Sequence, residues 1–165
     1  MISIYIIENH TLCREGLKEV LKTYSSIHIA GDSKRADTSP KQIKESRADM
    51  IILGQMEVDN DSISLCEELS SEPYNFKVLV VGENERHQNF IKLLNAGVLG
   101  FVSKNGSLDG LKNAIEKVST GNYCFPKESA EILIPLIKKN KTVKNKGKKL
   151  SKREIEIVRY IAEGF

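Results

Sequence analysis

The sequence lacks the cysteine patterns that would indicate a disulfide framework or a zinc site. Its three cysteines, Cys13, Cys66 and Cys124, are widely spaced, form no C-x-x-C pair and have no histidine at ligand spacing. An odd number of separated cysteines is typical of reduced thiols inside a cell. We therefore expect free cytosolic thiols, no bound metal and no cofactor.

Long apolar runs are missing as well. No stretch approaches the ~20 residues that a membrane helix needs. The opening segment, residues 1–7, has neither the basic region nor the small-residue cleavage site of a secretory signal. These absences predict a cytoplasmic protein with no membrane partner. With 165 residues, 40% hydrophobic and 28% charged, the chain is long enough for one globular domain and part of a second.

Acidic residues are absent from one stretch of the chain. Between Lys138 and Lys149 there are seven lysines and no aspartate or glutamate, whereas the whole chain has 25 basic and 22 acidic residues. The net charge of +3 therefore belongs to this stretch, and the remainder is net acidic. Such a run is either a solvated spacer or a non-specific contact to the DNA backbone. The residues expected to make that contact are Lys144, Lys146, Lys148, Lys149, Lys152 and Arg153.

Short apolar segments alternate with amphipathic segments along the first three quarters of the chain. This alternation predicts five strands and five helices in a doubly wound α/β fold with a parallel sheet. The strands are expected at 3–7, 27–30, 50–53, 77–81 and 100–102. The first helix is expected to bury Cys13, Leu17, Val20, Leu21 and Tyr24, which recur at helical spacing.

A functional side chain is missing where one is expected. The apolar run from Met50 to Leu53 is typical of a strand buried on both faces, and it is followed at once by Gly54. Ligands and catalytic groups gather at the carboxyl ends of such strands. Gly54 occupies that position without a side chain.

Two motifs then connect the chain to a known family. Glu8-Asn9-His10 is followed by Arg14-Glu15-Gly16-Leu17, and the segment from Leu93 to Lys104 combines a helix, an Ala-Gly stop, an aromatic strand and a lysine. On these motifs, residues 1–126 resemble a response-regulator receiver domain of the subgroup joined to a LuxR-type helix-turn-helix. The resemblance implies a flavodoxin-like sheet of five parallel strands, in the order 2-1-3-4-5, with helices on both faces.

The resemblance also implies which residues form the site. A receiver accepts a phosphoryl group on an aspartate beside Mg²⁺, and this chain has Glu8, Asn9 and Gly54 where the family has an acidic pair and that aspartate. Gly82 falls where the family has a threonine or serine that binds the phosphoryl oxygen. We therefore expect a degenerate pocket of Glu8, Asn9, Gly54, Gly82 and Lys104 that has no catalytic residue and holds no metal.

Two residues of this motif set have open alternatives. Lys104 either retains the family's phosphate-neutralising role or pairs with Glu8. Phe101 is either the aromatic residue that moves with the family's switch or an ordinary core residue.

The C-terminal part of the chain carries a second resemblance. The segment from Leu150 to Gly164 resembles the start of a LuxR-type DNA-binding domain, and a capping box of Ser151 and Glu154 precedes its apolar stripe. We expect a connecting helix and a lysine-rich linker over 127–149, and the first part of the helix-turn-helix domain over 150–165. Specific DNA binding would require the complete C-terminal domain.

These observations favour a regulatory protein rather than an enzyme. The leading interpretation is an atypical response regulator that controls transcription without phosphorylation and uses its receiver as a homodimer or partner-binding module. The expected dimer face combines the fourth helix, fifth strand and fifth helix, or else the first and fifth helices. The alternatives are a receiver that binds a small molecule in space opened by Gly54 and Gly82, and a truncated protein that sequesters partners.

Overall fold

The computed structural model describes residues 1–55, 59–83 and 87–126. Its five strands are β1 (Ile2–Ile7), β2 (Ile27–Ser33), β3 (Met50–Gly54), β4 (Lys77–Gly82) and β5 (Gly100–Ser103). Its helices are α1 (Thr11–Lys22), α2 (Pro40–Glu45), α3 (Asn60–Ser70), α4 (His87–Asn95) and α5 (Leu108–Ser119), with a short 3₁₀ turn at Arg35–Asp37. The strands pair in parallel in the order β2-β1-β3-β4-β5, which confirms the expected fold.

The sheet separates two layers of apolar side chains. Because successive strand residues point to opposite faces, Ile7, Ile51 and Leu53 pack on one face, and Ile6 and Ile52 on the other. The first layer packs with Cys66 and Leu69 of α3 and Phe90 and Leu93 of α4. The second packs with Leu21 of α1 and Leu111, Ile115 and Val118 of α5. Because β1, β3 and β4 pair in parallel, their carboxyl ends lie at one edge of the sheet.

Local signals fix where several helices begin. Ser39 is the N-cap of α2, and Pro40 follows as its first residue, a position where the missing proline N–H is not needed. The α5 N-cap is Ser107, whose hydroxyl accepts a hydrogen bond from the Gly110 N–H at 3.1 Å. In the described ranges, no helix is long and apolar enough to span a membrane.

Two predictions about local structure need correction. The second strand extends to Ser33 instead of ending at residue 30, because the ladder with β1 continues through the Ile7 and Ser33 pair. Cys13 is exposed rather than buried, and in α1 only Leu21 is fully buried. Leu17, Val20 and Tyr24 are half-buried, because α5 covers this face of α1 incompletely.

The segment after α5 runs beside β5. The Cys124 N–H donates to the Leu99 carbonyl, and the Phe101 N–H donates to the Cys124 carbonyl, both at 2.9 Å. Cys124 forms a parallel bridge with Gly100. The described part of the chain therefore ends attached to β5. The predicted linker, the basic residues from Lys144 to Arg153 and the helical fragment over 150–165 lie outside the described residues.

Candidate functional site

Glu8, directly after β1, is the centre of the site. Its side chain is only 3% exposed, and its Oε2 lies 2.9 Å from the Lys104 Nζ. Its Oε1 accepts a hydrogen bond from the His10 backbone N–H at 2.8 Å and lies 3.1 Å from the His10 Nδ1. Lys104 thus pairs with Glu8 in this structure, and its phosphate-neutralising role stays a prediction.

Gly54 makes room for this carboxylate. A Cβ atom on residue 54 would collide with the Glu8 Oε2 and would lie 3.0 Å from the Glu8 Cδ. Real Cβ atoms essentially never approach another heavy atom more closely than that. The place next to the backbone of residue 54 is therefore filled by the Glu8 carboxylate. Gly54 also lines surface pockets beside Glu8, so the expectation that a ligand binds next to it stays a prediction.

The contacts of Glu8 also fix its protonation. Burial alone would raise the pKa of the Glu8 carboxyl, but the His10 backbone hydrogen bond and the Lys104 ammonium outweigh burial and lower that pKa below its ordinary value. A carboxylate that accepts hydrogen bonds and faces a cation favours its charged form. Glu8 is thus a buried anion whose charge Lys104 balances.

Asn9 points to a different partner. Its Oδ1 accepts a hydrogen bond from the Arg35 backbone N–H at 2.8 Å. The Arg35 guanidinium in turn donates to the Ser62 Oγ at 3.1 Å and lies 3.4 Å from the Asp59 Oδ1. Asp59 caps α3 by accepting from the Ser62 N–H at 2.7 Å. The side-chain oxygen of Asn9 and the carboxylate of Asp59 are therefore both engaged in structural hydrogen bonds.

The side chains at this site do not provide the oxygen ligands that Mg²⁺, the metal implied by the family resemblance, requires. Magnesium prefers near-octahedral oxygen ligands, with one or two carboxylates among them. Here Gly54 offers no side chain, Glu8 is engaged by Lys104 and His10, and Asn9 is bonded to Arg35. No group of three or more potential metal ligands exists among the described residues.

The space beside Gly82, at the end of β4, is also occupied by a neighbouring side chain. A Cβ atom there would lie 3.1 Å from the Phe101 Cε2 and 3.4 Å from its Cζ. The Phe101 ring is 3% exposed and makes an edge-to-face contact with Phe90, with 5.2 Å between ring centroids. Phe90 contacts Phe125 in the same geometry at 6.4 Å. Phe101 is therefore a core residue here, and its ring takes the space that a hydroxyl side chain would need.

The structure brings Glu8, Gly54 and Lys104 together. Asn9 lines a pocket with Glu8 and Gly54, and the Lys104 backbone N–H donates to the Gly82 carbonyl at 2.6 Å. Sequence reasoning missed Arg35, since nothing in the 3₁₀ turn signals a contact with Asn9. It also missed Gln55, which is 8% exposed and whose side-chain amide atoms have no hydrogen-bond partner among the described residues. A polar residue directly after an apolar strand is the one signal that could have identified Gln55.

Comparisons with known proteins identify the family to which this chain belongs. Residues 4–116 match the response regulator receiver domain family. The chain is 24% identical to the response regulator protein VraR of Staphylococcus saprophyticus subsp. saprophyticus over 164 residues, which cover 99% of this chain and 77% of that protein.

Solved structures show the same fold. A LuxR-family two-component response regulator from Aurantimonas sp. has a TM-score of 0.70 and 16% identity, over 81% of this chain and 96% of that one. The receiver domain of RcsB from Salmonella enterica serovar Typhimurium has a TM-score of 0.67 and 17% identity, over 79% and 97%.

Proposed function

Because this chain belongs to the response regulator receiver domain family, we propose that it is an atypical response regulator that works without phosphorylation. In this proposal it acts in the cytoplasm in the regulation of transcription, and its receiver serves as a binding module rather than a catalyst. The receiver forms a homodimer or binds a regulatory protein. The two alternatives for its dimer face remain those named from the sequence.

The occupation of the Gly54 position by Glu8 carries this proposal. An acyl phosphate needs a carboxylate nucleophile and a cation that balances the incoming charge. At this edge of the sheet, the nucleophile position has no side chain, and the nearest carboxylate is buried and paired with the cation, Lys104. Glu8 and Lys104 thus form an ion pair where the family changes charge on phosphorylation.

The Phe101 contacts support the same conclusion. A switch residue must have two positions that differ in free energy by an amount a signal can supply. The Phe101 ring packs against Gly82 on one side and Phe90 on the other, and moving it outward would expose a buried aromatic side chain. We infer that the receiver holds one conformation.

Intact-mass measurement after incubation with acetyl phosphate tests the proposal. We expect no adduct near 80 Da, a phosphoryl group, under conditions in which a competent receiver is modified. A hydroxylamine-labile adduct on any acidic residue would overturn the proposal, since that lability identifies an acyl phosphate. The result does not depend on the oligomeric state of the chain.

The variant Gly54→Asp provides a second test of the proposal. The new carboxylate would displace Glu8, leaving two acids near one Lys104, while Gly82 still lacks a hydroxyl. We expect weak Mg²⁺ binding at best and no change in oligomeric state with beryllofluoride. A clear dimerisation response of this single variant would show that the rest of the switch is intact.

The DNA-binding part of the proposal rests on the sequence alone. The basic residues from Lys144 to Arg153 carry charge but no means of reading base edges, so their contacts would be non-specific and sensitive to salt. Specific recognition belongs to a complete C-terminal helix-turn-helix domain.

A further inference from the structure

A pocket of about 240 Å³ lies between α1 and α5. Cys13, Leu17 and Val20 line it from α1, and Leu108 and Leu111 line it from α5. It is on the face of the sheet opposite Phe101 and Phe90, which belong to the other apolar layer. The pocket is thus separate from the Gly82–Phe101 pair.

The walls of this pocket are residues that the helical pattern would normally bury. Leu17 and Val20 are half-buried, Cys13 is exposed and Leu108 is 55% exposed. Leaving such side chains in contact with water forgoes roughly 25 cal/mol for each Å² of apolar surface. A ligand that covered them would recover part of this free energy.

The floor of the pocket determines the charge of its occupant. Glu8, Gly54 and Lys104 form part of the lining, and the Glu8 carboxylate and Lys104 ammonium already neutralise each other at 2.9 Å. A charged ligand would have to give up its hydration without gaining an uncompensated partner. The floor therefore favours an uncharged molecule.

The volume limits its size. A dry apolar cavity of ~150 Å³ accommodates benzene, so about 240 Å³ accommodates a molecule with one or two fused rings. We propose that this pocket binds a small, uncharged aromatic molecule of that size.

Such a ligand would lie directly over the Glu8–Lys104 pair. Excluding water from an ion pair strengthens its attraction, because the local dielectric falls. The ligand would thereby give the receiver an input that needs no phosphoryl group, a regulatory meaning that rests on the proposed function. Binding of the ligand to the pocket does not depend on the proposed function. The ligand can therefore bind even if the acetyl phosphate experiment contradicts that function.

The thiol of Cys13 provides the experiment. It is exposed at the pocket wall, whereas Cys66 is buried with its pKa raised by burial to about 12, and burial also raises the pKa of Cys124. Iodoacetamide should therefore modify Cys13 first in the full chain. With indole as the probe, we expect saturable protection of Cys13, half-complete at ~1 mM or below for a ligand of this size, together with a raised Tm.

Two variants of α1 control for indirect effects. Val20→Trp fills the pocket with an indole ring and should abolish the protection, and Leu17→Phe should weaken it if the first variant fails to fold. Lys22→Trp places the same ring on an exposed part of α1 (59% exposed) and should bind indole as the parent does. Indole-3-carboxylate should bind at least tenfold more weakly than indole.

Three results would overturn the proposal. Absence of saturable protection up to the solubility limit of indole would show that the pocket does not bind this class. Equal protection in Val20→Trp would place the ligand elsewhere. Protection that rises with protein concentration and is unaffected by indole would assign the pocket to a second copy of the chain.

Discussion

A buried carboxylate is stable only when other groups satisfy its charge and its lone pairs, and Glu8 obtains both from two residues. The Lys104 ammonium supplies the charge, and His10 supplies a backbone N–H at 2.8 Å and a ring nitrogen at 3.1 Å. Removing one partner of such a pair leaves an uncompensated buried charge. Gly54 belongs to this unit because any side chain there would displace the carboxylate.

The first prediction concerns Gly54→Ala. The added methyl group meets Glu8, so we expect the free energy of unfolding to fall by about 1–3 kcal/mol, the usual range for overpacking. In a Glu8→Ala background the same substitution should be much less costly, since the colliding carboxylate is gone. Urea denaturation of the four proteins measures this coupling.

Gly16→Ala is the matched control. Gly16 lies in α1, and a Cβ atom there would meet nothing within 4 Å, so alanine should stabilise the helix by ~0.5–1 kcal/mol. Equal costs of Gly54→Ala in the presence and absence of Glu8 would show that the two residues are not coupled.

The second prediction concerns pH. The pKa of Glu8 is lowered in the folded chain, so the unfolded chain binds the proton more readily. This contribution to stability is complete above the ordinary glutamate pKa of ~4.3 and is lost as the pH falls toward the folded-state pKa. Glu8→Gln should lack this loss, so its difference from the parent should shrink as the pH falls from the ordinary glutamate pKa toward the folded-state pKa of Glu8.

Asp59→Asn tests whether this pH effect is specific. The pKa of Asp59 is also lowered, first by the side-chain hydrogen bond from Ser62, but Asp59 is not bonded to Lys104. The variant should therefore keep the Glu8 contribution. A parent and a Glu8→Gln variant that lose stability in parallel on acidification would contradict the assignment.

The sequence shows which functional side chains are missing, but it does not show which neighbouring residues occupy the space they leave. That Gly54 and Gly82 lack functional groups can be read directly from the chain, and the family motifs locate Glu8, Lys104 and Phe101. Which neighbour fills each vacated space depends on side-chain rotamers and on strand register, as in the Ile7 and Leu53 pair before Gly54. Those are properties of the packed sheet rather than of any segment.

Strand β5 and helix α4 are held together by aromatic contacts. Phe101 of β5 meets Phe90 of α4 edge to face, and Gly82 of β4 lies against the same ring. A change at Gly82 therefore acts on both elements. Each edge-to-face pair contributes about 0.5–1.5 kcal/mol beyond the burial of its area.

The third prediction concerns Gly82→Thr, which restores the hydroxyl that the family has at this position. A Cβ atom on residue 82 would lie only 3.1 Å from the Phe101 Cε2, so the larger threonine side chain should displace the ring and cost about 1–3 kcal/mol. Combining it with Phe101→Leu should cost less than the sum of both single changes.

Urea denaturation and near-ultraviolet circular dichroism measure these effects. The parent and Phe101→Leu provide the reference spectra. A Gly82→Thr variant with unchanged stability and an unchanged aromatic spectrum would show that the ring has room to coexist with a hydroxyl side chain.

Helix α1 shows where periodicity fails as a guide to burial. Its apolar residues recur at helical spacing as expected, yet only Leu21 is fully buried. Periodicity identifies a common face, but burial depends on what another element places over it. Here α5 leaves the Cys13 end of that face as a pocket, which no pattern within α1 could have indicated.

The fold as a whole is predictable because strict alternation of strands and helices leaves few allowed connections. The order β2-β1-β3-β4-β5 followed from the family resemblance rather than from alternation alone. The exact extent of β2 did not follow from the resemblance. Asp32 and Ser33 are polar, and they belong to the strand only because they pair with β1.

The fourth prediction concerns self-association. Leu12 of α1 is 85% exposed and does not line the pocket between α1 and α5, which favours the first and fifth helices as the dimer face. We expect a weak homodimer in sedimentation at several concentrations. Leu12→Ser should weaken it at least tenfold, because an apolar contact in the interface is lost.

Lys41→Ser provides the control for this prediction. Lys41 lies on α2, and its side chain is 81% exposed, so the change should leave association unaffected. Undiminished association of Leu12→Ser would favour the fourth helix, fifth strand and fifth helix as the face. A strict monomer at high micromolar concentration would contradict the homodimer itself.

The attachment of Cys124 to β5 has a mechanical consequence. The chain leaves the described domain alongside the strand that carries Phe101, through the two 2.9 Å hydrogen bonds that link Cys124 to Leu99 and Phe101. A pull on the chain beyond Pro126 would load these bonds together, because they flank the same residue. Tension from the chain beyond Pro126 would therefore act on α4 through the Phe125–Phe90 contact and on Phe101 through Cys124.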